Sequence, residues 1–122
     1  MKKKMVTLVG FATGFSICCL ARAATQDIGN VYIADILKVA VTSGAQIAGN
    51  LEIEVKGGFA LSGVSCTNNL FVTTLQTTDP NNSLLSVLLT ARAANLPVGL
   101  RITDDPQHQA VQGNCSLVWV YM

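Results

Sequence analysis

The sequence predicts a mainly β domain with one helix, and three observations lead to this fold class. Segments in which apolar and polar residues alternate, as they do along a half-buried strand, recur through most of the chain. One segment rich in Leu and Ala has helix start and stop signals at its two ends. The length of 122 residues, 50% of them hydrophobic and 12% charged, is typical of one folded domain.

The first 23 residues have the organisation of a bacterial secretory signal peptide. Three lysines precede an apolar stretch from Met5 to Leu20, and Ala21 and Ala23 occupy the two positions that a signal peptidase reads. We therefore predict cleavage after Ala23 and a periplasmic or secreted protein. The alternative is a membrane anchor, but the stretch contains Gly, Ser and Thr and is shorter than the roughly 20 strongly apolar residues of a spanning helix.

Cleavage changes both the charge and the thiol content of the mature chain, residues 24–122. Four basic and seven acidic residues remain, a net charge of −3. The dispersed cations provide no basic face, so we expect neither nucleic acid binding nor stable membrane insertion. Cys66 and Cys115 are the two cysteines left after cleavage. Because two cysteines in an exported chain most simply pair, we predict a disulfide between them.

The strands before the helix are predicted from alternation. Residues 31–41 form the first, and residues 50–56 form the second, with Leu, Ile and Val alternating with Asn, Glu and Lys. A glycine pair then permits a tight reversal. Residues 59–66 and 70–76 are both strand-like and form either two short strands or one bent strand.

The helix is predicted over residues 80–94. Asp79 can accept hydrogen bonds from free amides, and Pro80 suits the first turn, where its missing N–H costs nothing. Asn95 can adopt the left-handed conformation that ends a helix, and Pro97 prevents continuation.

Two further strands are predicted after the helix, at residues 98–103 and 115–121, with a polar loop between them. This order of elements is that of the OB fold, a five-stranded Greek-key barrel whose helix lies between strands three and four. We therefore predict an OB-like barrel over residues 24–122, in which Cys66 and Cys115 come close together. The alternative is an antiparallel sheet with the helix packed on one face.

The helix and the last strand carry more apolar surface than one small core needs. Leu85 and Leu89 form a second apolar stripe on the helix, and Val118 and Val120 lie on one face of the strand. Strict alternation places four side chains on the opposite face of that strand: Cys115, Leu117, Trp119 and Tyr121. We therefore predict self-association, with Leu85, Leu89, Val118 and Val120 at the interface between copies.

The sequence contains no pattern that predicts an enzyme. His108, the single histidine, is expected to be a surface loop residue because no second His or free Cys completes a metal set. Neither a Gly-x-Ser-x-Gly elbow nor a phosphate-binding glycine pattern is present. Glu52 and Glu54 lie on one side of a strand, as a hydrolase pair would, but alternation on a solvated strand face explains them more simply. We expect a non-enzymatic protein that needs no metal or cofactor.

Between residues 66 and 103, several features follow one another in the same order as in a known protein family. Cys66 at a strand end is followed by a polar Asn-containing step, the aromatic Phe71, a helix of Leu and Ala, and a strand that begins at Pro97-Val98. This segment resembles the B subunit of subtilase cytotoxin, an AB5-type toxin component. The resemblance implies an OB-like barrel, a ring-shaped homopentamer, recognition of cell-surface glycans and a toxin A-type subunit as partner. It implies no particular binding residue in this chain.

Three functional hypotheses follow. The first is an exported, non-enzymatic binding domain that recognises a glycan or protein ligand as a homo-oligomer. The second is a periplasmic structural or inhibitory protein that binds a protein partner through its apolar C-terminal strand. The third is a small hydrolase that uses Glu52 and Glu54.

Overall fold

The computed structural model describes residues 22–122, so most of the predicted signal peptide lies outside the described residues. Within that range the chain forms six strands and one helix. The elements in chain order are β1 (Thr25–Val31), β2 (Ile33–Lys38), β3 (Leu51–Val55), β4 (Asn68–Thr74), α1 (Ser83–Ala93), β5 (Val98–Thr103) and β6 (Asn114–Tyr121). No helix in this part of the chain is long and apolar enough to cross a bilayer.

The strands form one mixed sheet in the order β1-β5-β6-β4-β3-β2. Neighbouring strands are antiparallel except β4 and β6, which are parallel. A parallel pair requires a crossover, and α1 and β5 lie in the connection between these two strands. The mainly β fold with one helix is therefore confirmed. The predicted closed barrel of five strands is not observed, because the pairing gives a six-stranded sheet with β1 and β2 at its ends.

The predicted first strand, residues 31–41, contains all of β2 but only the last residue of β1, and residues 39–41 lie outside both strands. β1 pairs with β5, β2 pairs with β3, and only Tyr32 lies between them. The alternation of apolar and polar residues does not predict β1, because Ile28 is the only buried residue of this strand. Main-chain pairing with β5, rather than burial of its own side chains, therefore defines this strand.

The segment 59–66, predicted to be strand-like, has no regular strand pairing, whereas the predicted strand at residues 70–76 is observed as β4. The side chain of Gln26 takes over part of the missing pairing. Its Nε2 donates to the Ala60 carbonyl at 2.6 Å, and its Oε1 accepts from the Ser62 amide at 2.8 Å. A side-chain amide thus satisfies main-chain groups that a neighbouring strand would otherwise satisfy.

The helix is shorter than predicted and begins at Ser83, so Pro80 lies before the helix and not in its first turn. Asp79 and Asn95 nevertheless act at the two ends as predicted. The Asp79 carboxylate accepts hydrogen bonds from the first three helical amides: Ser83 (2.8 Å), Leu84 (3.1 Å) and Leu85 (3.3 Å). It does so from outside the helix, because Asn82, with φ of 55°, is the residue that immediately precedes the first turn. Asn95 adopts the predicted left-handed conformation, with φ of 52°.

The core lies between the sheet and α1, which contributes Leu88 and Ala91 to it. On the sheet side, the largest side chains that are fully buried are Ile53, Leu100, Ile102 and Leu117. Full burial of each such side chain is worth about 1.5–3 kcal/mol. The predicted Cys66–Cys115 disulfide is confirmed: it connects the segment before β4 to the start of β6, with Cα atoms 5.3 Å apart.

Candidate functional site

The last strand contains a bulge that exchanges its two faces. Leu117 pairs with Ile102 and is buried, whereas Trp119 pairs with Arg101, the preceding residue of β5. Val118 is therefore the extra residue between two consecutive pairs, and it shifts the alternation by one position. Beyond the bulge Trp119 lies on the outer face and Val120 faces the core. The prediction that Cys115, Leu117, Trp119 and Tyr121 share one face is wrong for this reason.

Two aromatic rings lie exposed on the outer face of β6. Trp119 is 43% exposed and Tyr121 is 47% exposed. The guanidinium carbon of Arg101 lies 4.0 Å from the centroid of the Trp119 ring, which is a cation–π arrangement. Gly99 pairs with Tyr121, and any side chain at position 99 would collide with the Tyr121 ring. The glycine therefore permits the tyrosine ring to lie flat against the sheet.

Asp27 of β1 completes this cluster from the neighbouring strand, where it pairs with Arg101. Nε of Arg101 donates to Oδ1 of Asp27 at 2.6 Å, and Nη2 donates to Oδ2. The hydrogen bonds from Arg101 are the main reason that the pKa of Asp27 lies below its ordinary value, and the same bonds raise the pKa of Arg101. Both side chains are therefore charged at neutral pH, and the bidentate pair fixes the guanidinium beside the Trp119 ring.

Together, five residues form what we term the aromatic platform: Asp27, Gly99, Arg101, Trp119 and Tyr121. Its rings offer flat apolar area, while the tyrosine hydroxyl and the ion pair offer hydrogen-bonding groups beside that area. A surface of this kind suits a ligand with both an apolar face and hydroxyl groups. Sequence reasoning missed the platform because the bulge reverses the face of Trp119 and because Asp27 was assigned to no strand.

The four residues predicted at an oligomer interface lie in two different environments. Leu89 of α1 is 48% exposed and Val118 of β6 is 36% exposed. Leu85 and Val120 are partly buried and pack against the core. Leu89 and Val118 therefore remain available for contact with another copy, whereas Leu85 and Val120 already contribute to the monomer.

Two adjoining clefts of about 620 Å³ each lie where the loop after β5 faces the segment before β4. They share Ser65, Asp104 and Pro106. Oδ2 of Asp104 accepts from the Ser65 amide at 2.8 Å and from its hydroxyl at 3.1 Å, and Oδ1 accepts from the Ala24 amide at 2.7 Å. The carboxylate is thus occupied by the protein's own donors and offers little to an external ligand.

The residues considered for catalysis or metal binding do not converge. Nε2 of the half-exposed His108 lies 3.8 Å from a carboxylate oxygen of Asp105 in the polar loop. Glu52 and Glu54 are partly buried on β3, and Glu52 accepts a hydrogen bond from the side chain of Gln46. Across residues 22–122 no three His, Cys, Asp or Glu side chains are close enough together to hold a metal ion.

No protein-family model, curated protein or solved structure matches this chain.

Proposed function

We propose that the protein is an exported, non-enzymatic binding domain that recognises a glycan through the aromatic platform and acts as a homo-oligomer. The observation that carries the proposal is the exposure of Trp119 and Tyr121 beside the Arg101–Asp27 pair. The apolar face of a sugar ring can stack on an aromatic ring while its hydroxyl groups bond to adjacent charged and hydroxyl groups. These groups occur together on the outer faces of β1, β5 and β6.

The platform is well organised for binding before any ligand arrives. Arg101 is held from one side by Asp27 and from the other by the Trp119 ring, and Tyr121 lies against Gly99. Side chains that are already fixed lose little rotamer entropy when a ligand binds, and this entropy is one of the main costs of association. Tyr and Trp also provide large contact areas with few rotatable bonds.

We also propose that the protein is B-subunit-like, with an open six-stranded sheet in place of the closed barrel, and the chain path supports this proposal. β1 and β2 are consecutive and pair with strands from opposite halves of the sheet. The helix lies between β4 and β5, and β6 returns parallel to β4. These features accompany the resemblance to the B subunit of subtilase cytotoxin, from which we propose a pentameric ring and a toxin A-type partner.

Export is supported by the disulfide, because disulfides persist in oxidising compartments and are rare in the cytosol. We therefore propose that residues 1–23 direct the chain to the periplasm or the medium and are then removed.

The test is glycan-array binding by the mature protein and three variants. Trp119→Ala is expected to lose about tenfold in apparent affinity, because one aromatic stacking contact is worth roughly 0.5–1.5 kcal/mol and the variant also releases Arg101. Trp119→Phe should retain part of the affinity. Tyr32→Ala is the matched control, since Tyr32 is 41% exposed and lies outside the platform. Circular dichroism establishes that each variant is folded. Absence of any glycan signal, or unchanged binding by Trp119→Ala, would contradict the proposal.

A second candidate function is binding of a protein partner through the exposed end of β6. Val118 and the 68% exposed Met122 add aliphatic surface to the aromatic platform, and such surfaces also occur at protein interfaces. Cross-linking in the periplasm separates the two functions. A defined protein adduct that Met122→Ser and Val118→Ser abolish, together with an empty glycan array, would favour the protein partner.

A further inference from the structure

Ala24, the first residue after the predicted cleavage position, is bound to the fold by three hydrogen bonds. Its nitrogen donates to Oδ1 of Asp104 at 2.7 Å. Its carbonyl oxygen accepts from the Asp104 amide at 3.2 Å and from the Thr103 hydroxyl at 2.9 Å. The start of the mature chain therefore has a fixed position at the end of β5.

The Asp104 carboxylate connects three parts of the molecule. One oxygen contacts Ala24, and the other accepts from the amide and hydroxyl of Ser65, in the segment before β4. Partial burial acts to raise the pKa of Asp104, but hydrogen bonds from Ser65 and Ala24 outweigh burial and lower the pKa. The carboxylate is therefore negatively charged at neutral pH and lies in contact with the Ala24 nitrogen.

We propose that Asp104 is the binding site for the α-ammonium group that cleavage after Ala23 creates, so that processing replaces a hydrogen bond from a neutral amide to the carboxylate by an ion pair that stabilises the domain. This inference rests on the proposed export and cleavage, but not on glycan binding. Hydrolysis of the Ala23–Ala24 bond transfers the oxygen of one water molecule to the Ala23 carboxylate and its two hydrogens to the Ala24 nitrogen. The resulting ammonium is a charged donor, so Coulomb attraction between it and the carboxylate is added to the hydrogen bond.

The surroundings of Ala24 favour a cation after the signal peptide has left. Asp105 and His108 line the same part of the surface as Ala23, and Arg22 lines the cleft that contains Asp104. Cleavage removes Arg22, so the titratable side chains that remain near the new terminus are Asp104, Asp105 and His108. The paired ammonium should have a pKa above the ordinary α-amino value of about 7.7–8.0. While Asp104 is ionised, the stabilisation by the ion pair is therefore complete below the ordinary α-amino value and is lost as the pH rises through the folded-state pKa of the ammonium.

The test begins with the exported protein and its first residue. N-terminal sequencing should give Ala-Thr-Gln, which begins at Ala24. Any other first residue would overturn the inference about Asp104. It would not affect the proposal of glycan binding, which the glycan array tests separately. The α-amino group is then acetylated at about pH 6.5, where lysine, with a pKa near 10.4, is protected by protonation. Urea unfolding is compared for acetylated and free forms of the wild type, Asp104→Asn and Asp105→Asn.

Acetylation is expected to raise the unfolding equilibrium constant about tenfold in the wild type and in the Asp105→Asn control. In Asp104→Asn it should change the constant less than about twofold, because the charged acceptor is absent. Equal effects of acetylation in the wild type and in Asp104→Asn would overturn the inference. If Asp104→Asn does not fold, nuclear magnetic resonance titration of the wild-type α-amino group decides instead. A pKa at or below about 8.0 would overturn the inference, and a higher value would support it.

Discussion

Removal of the Cys66–Cys115 disulfide should destabilise the mature domain severely. The two cysteines are 49 residues apart, and the intervening chain contains β4, α1 and β5. The chain-entropy relation for a closed loop of this length gives about 4 kcal/mol of stabilisation. Domains of this size have a total stability of about 5–15 kcal/mol, so the reduced protein should keep only about 1–11 kcal/mol of it.

Urea unfolding of the mature protein, with and without reductant, measures this contribution. With a slope of about 1–2 kcal/mol per M, the expected loss lowers the unfolding midpoint by roughly 2–4 M. The Cys66→Ala and Cys115→Ala double variant should behave like the reduced protein, with an added cost because Cys115 is fully buried in the core. Cys66→Ala alone, in the presence of reductant, separates the loss of the cross-link from the loss of buried volume. A midpoint that moves by less than about 0.5 M on reduction would refute the reasoning.

Three further predictions concern the interface, the helix start and acid stability. Leu89→Glu should dissociate the oligomer and preserve the fold, whereas Leu85→Glu should lower stability because Leu85 packs on the core. Light scattering measures the oligomeric state and circular dichroism measures the fold. A monomeric wild type at micromolar concentration would exclude the proposed self-association. Asp79→Ala should cost about 1–2 kcal/mol in urea unfolding because three helical amides lose their acceptor, and an unchanged midpoint would show that these bonds are unimportant. Since the folded state lowers the pKa of Asp104 below 3.8, stability should fall as the pH falls through the folded-state pKa, and to a smaller extent in Asp104→Asn; equal acid sensitivity would contradict this assignment.

Features that depend on local sequence were predictable. β3 and β5 follow the alternation read along residues 50–56 and 98–103, and the helix is bounded by the signals at Asp79 and Asn95. The disulfide was predicted from the number of cysteines outside the predicted signal peptide. In each case the feature depends on a short stretch of sequence or on the number of cysteines, and not on which distant segments pair.

Features that depend on distant partners were not predictable. β1 is mostly polar, and its existence depends on pairing with β5, about 70 residues later in the chain. The bulge at Val118 depends on the register between β5 and β6, which alternation within β6 does not reveal. The aromatic platform requires both features, because β1 supplies Asp27 and the bulge turns Trp119 outward. The candidate site was therefore harder to predict than the fold class.

We propose that the exposed face of β6 binds a glycan, and Trp119 permits a direct test because it is the only tryptophan in the chain. The mature protein is titrated with the glycan that gives the strongest array signal while tryptophan emission is recorded. Stacking of a sugar on the ring should shift or quench the emission saturably, with the same dissociation constant that calorimetry gives. Calorimetric binding without any change in Trp119 emission would place the glycan elsewhere and contradict the account.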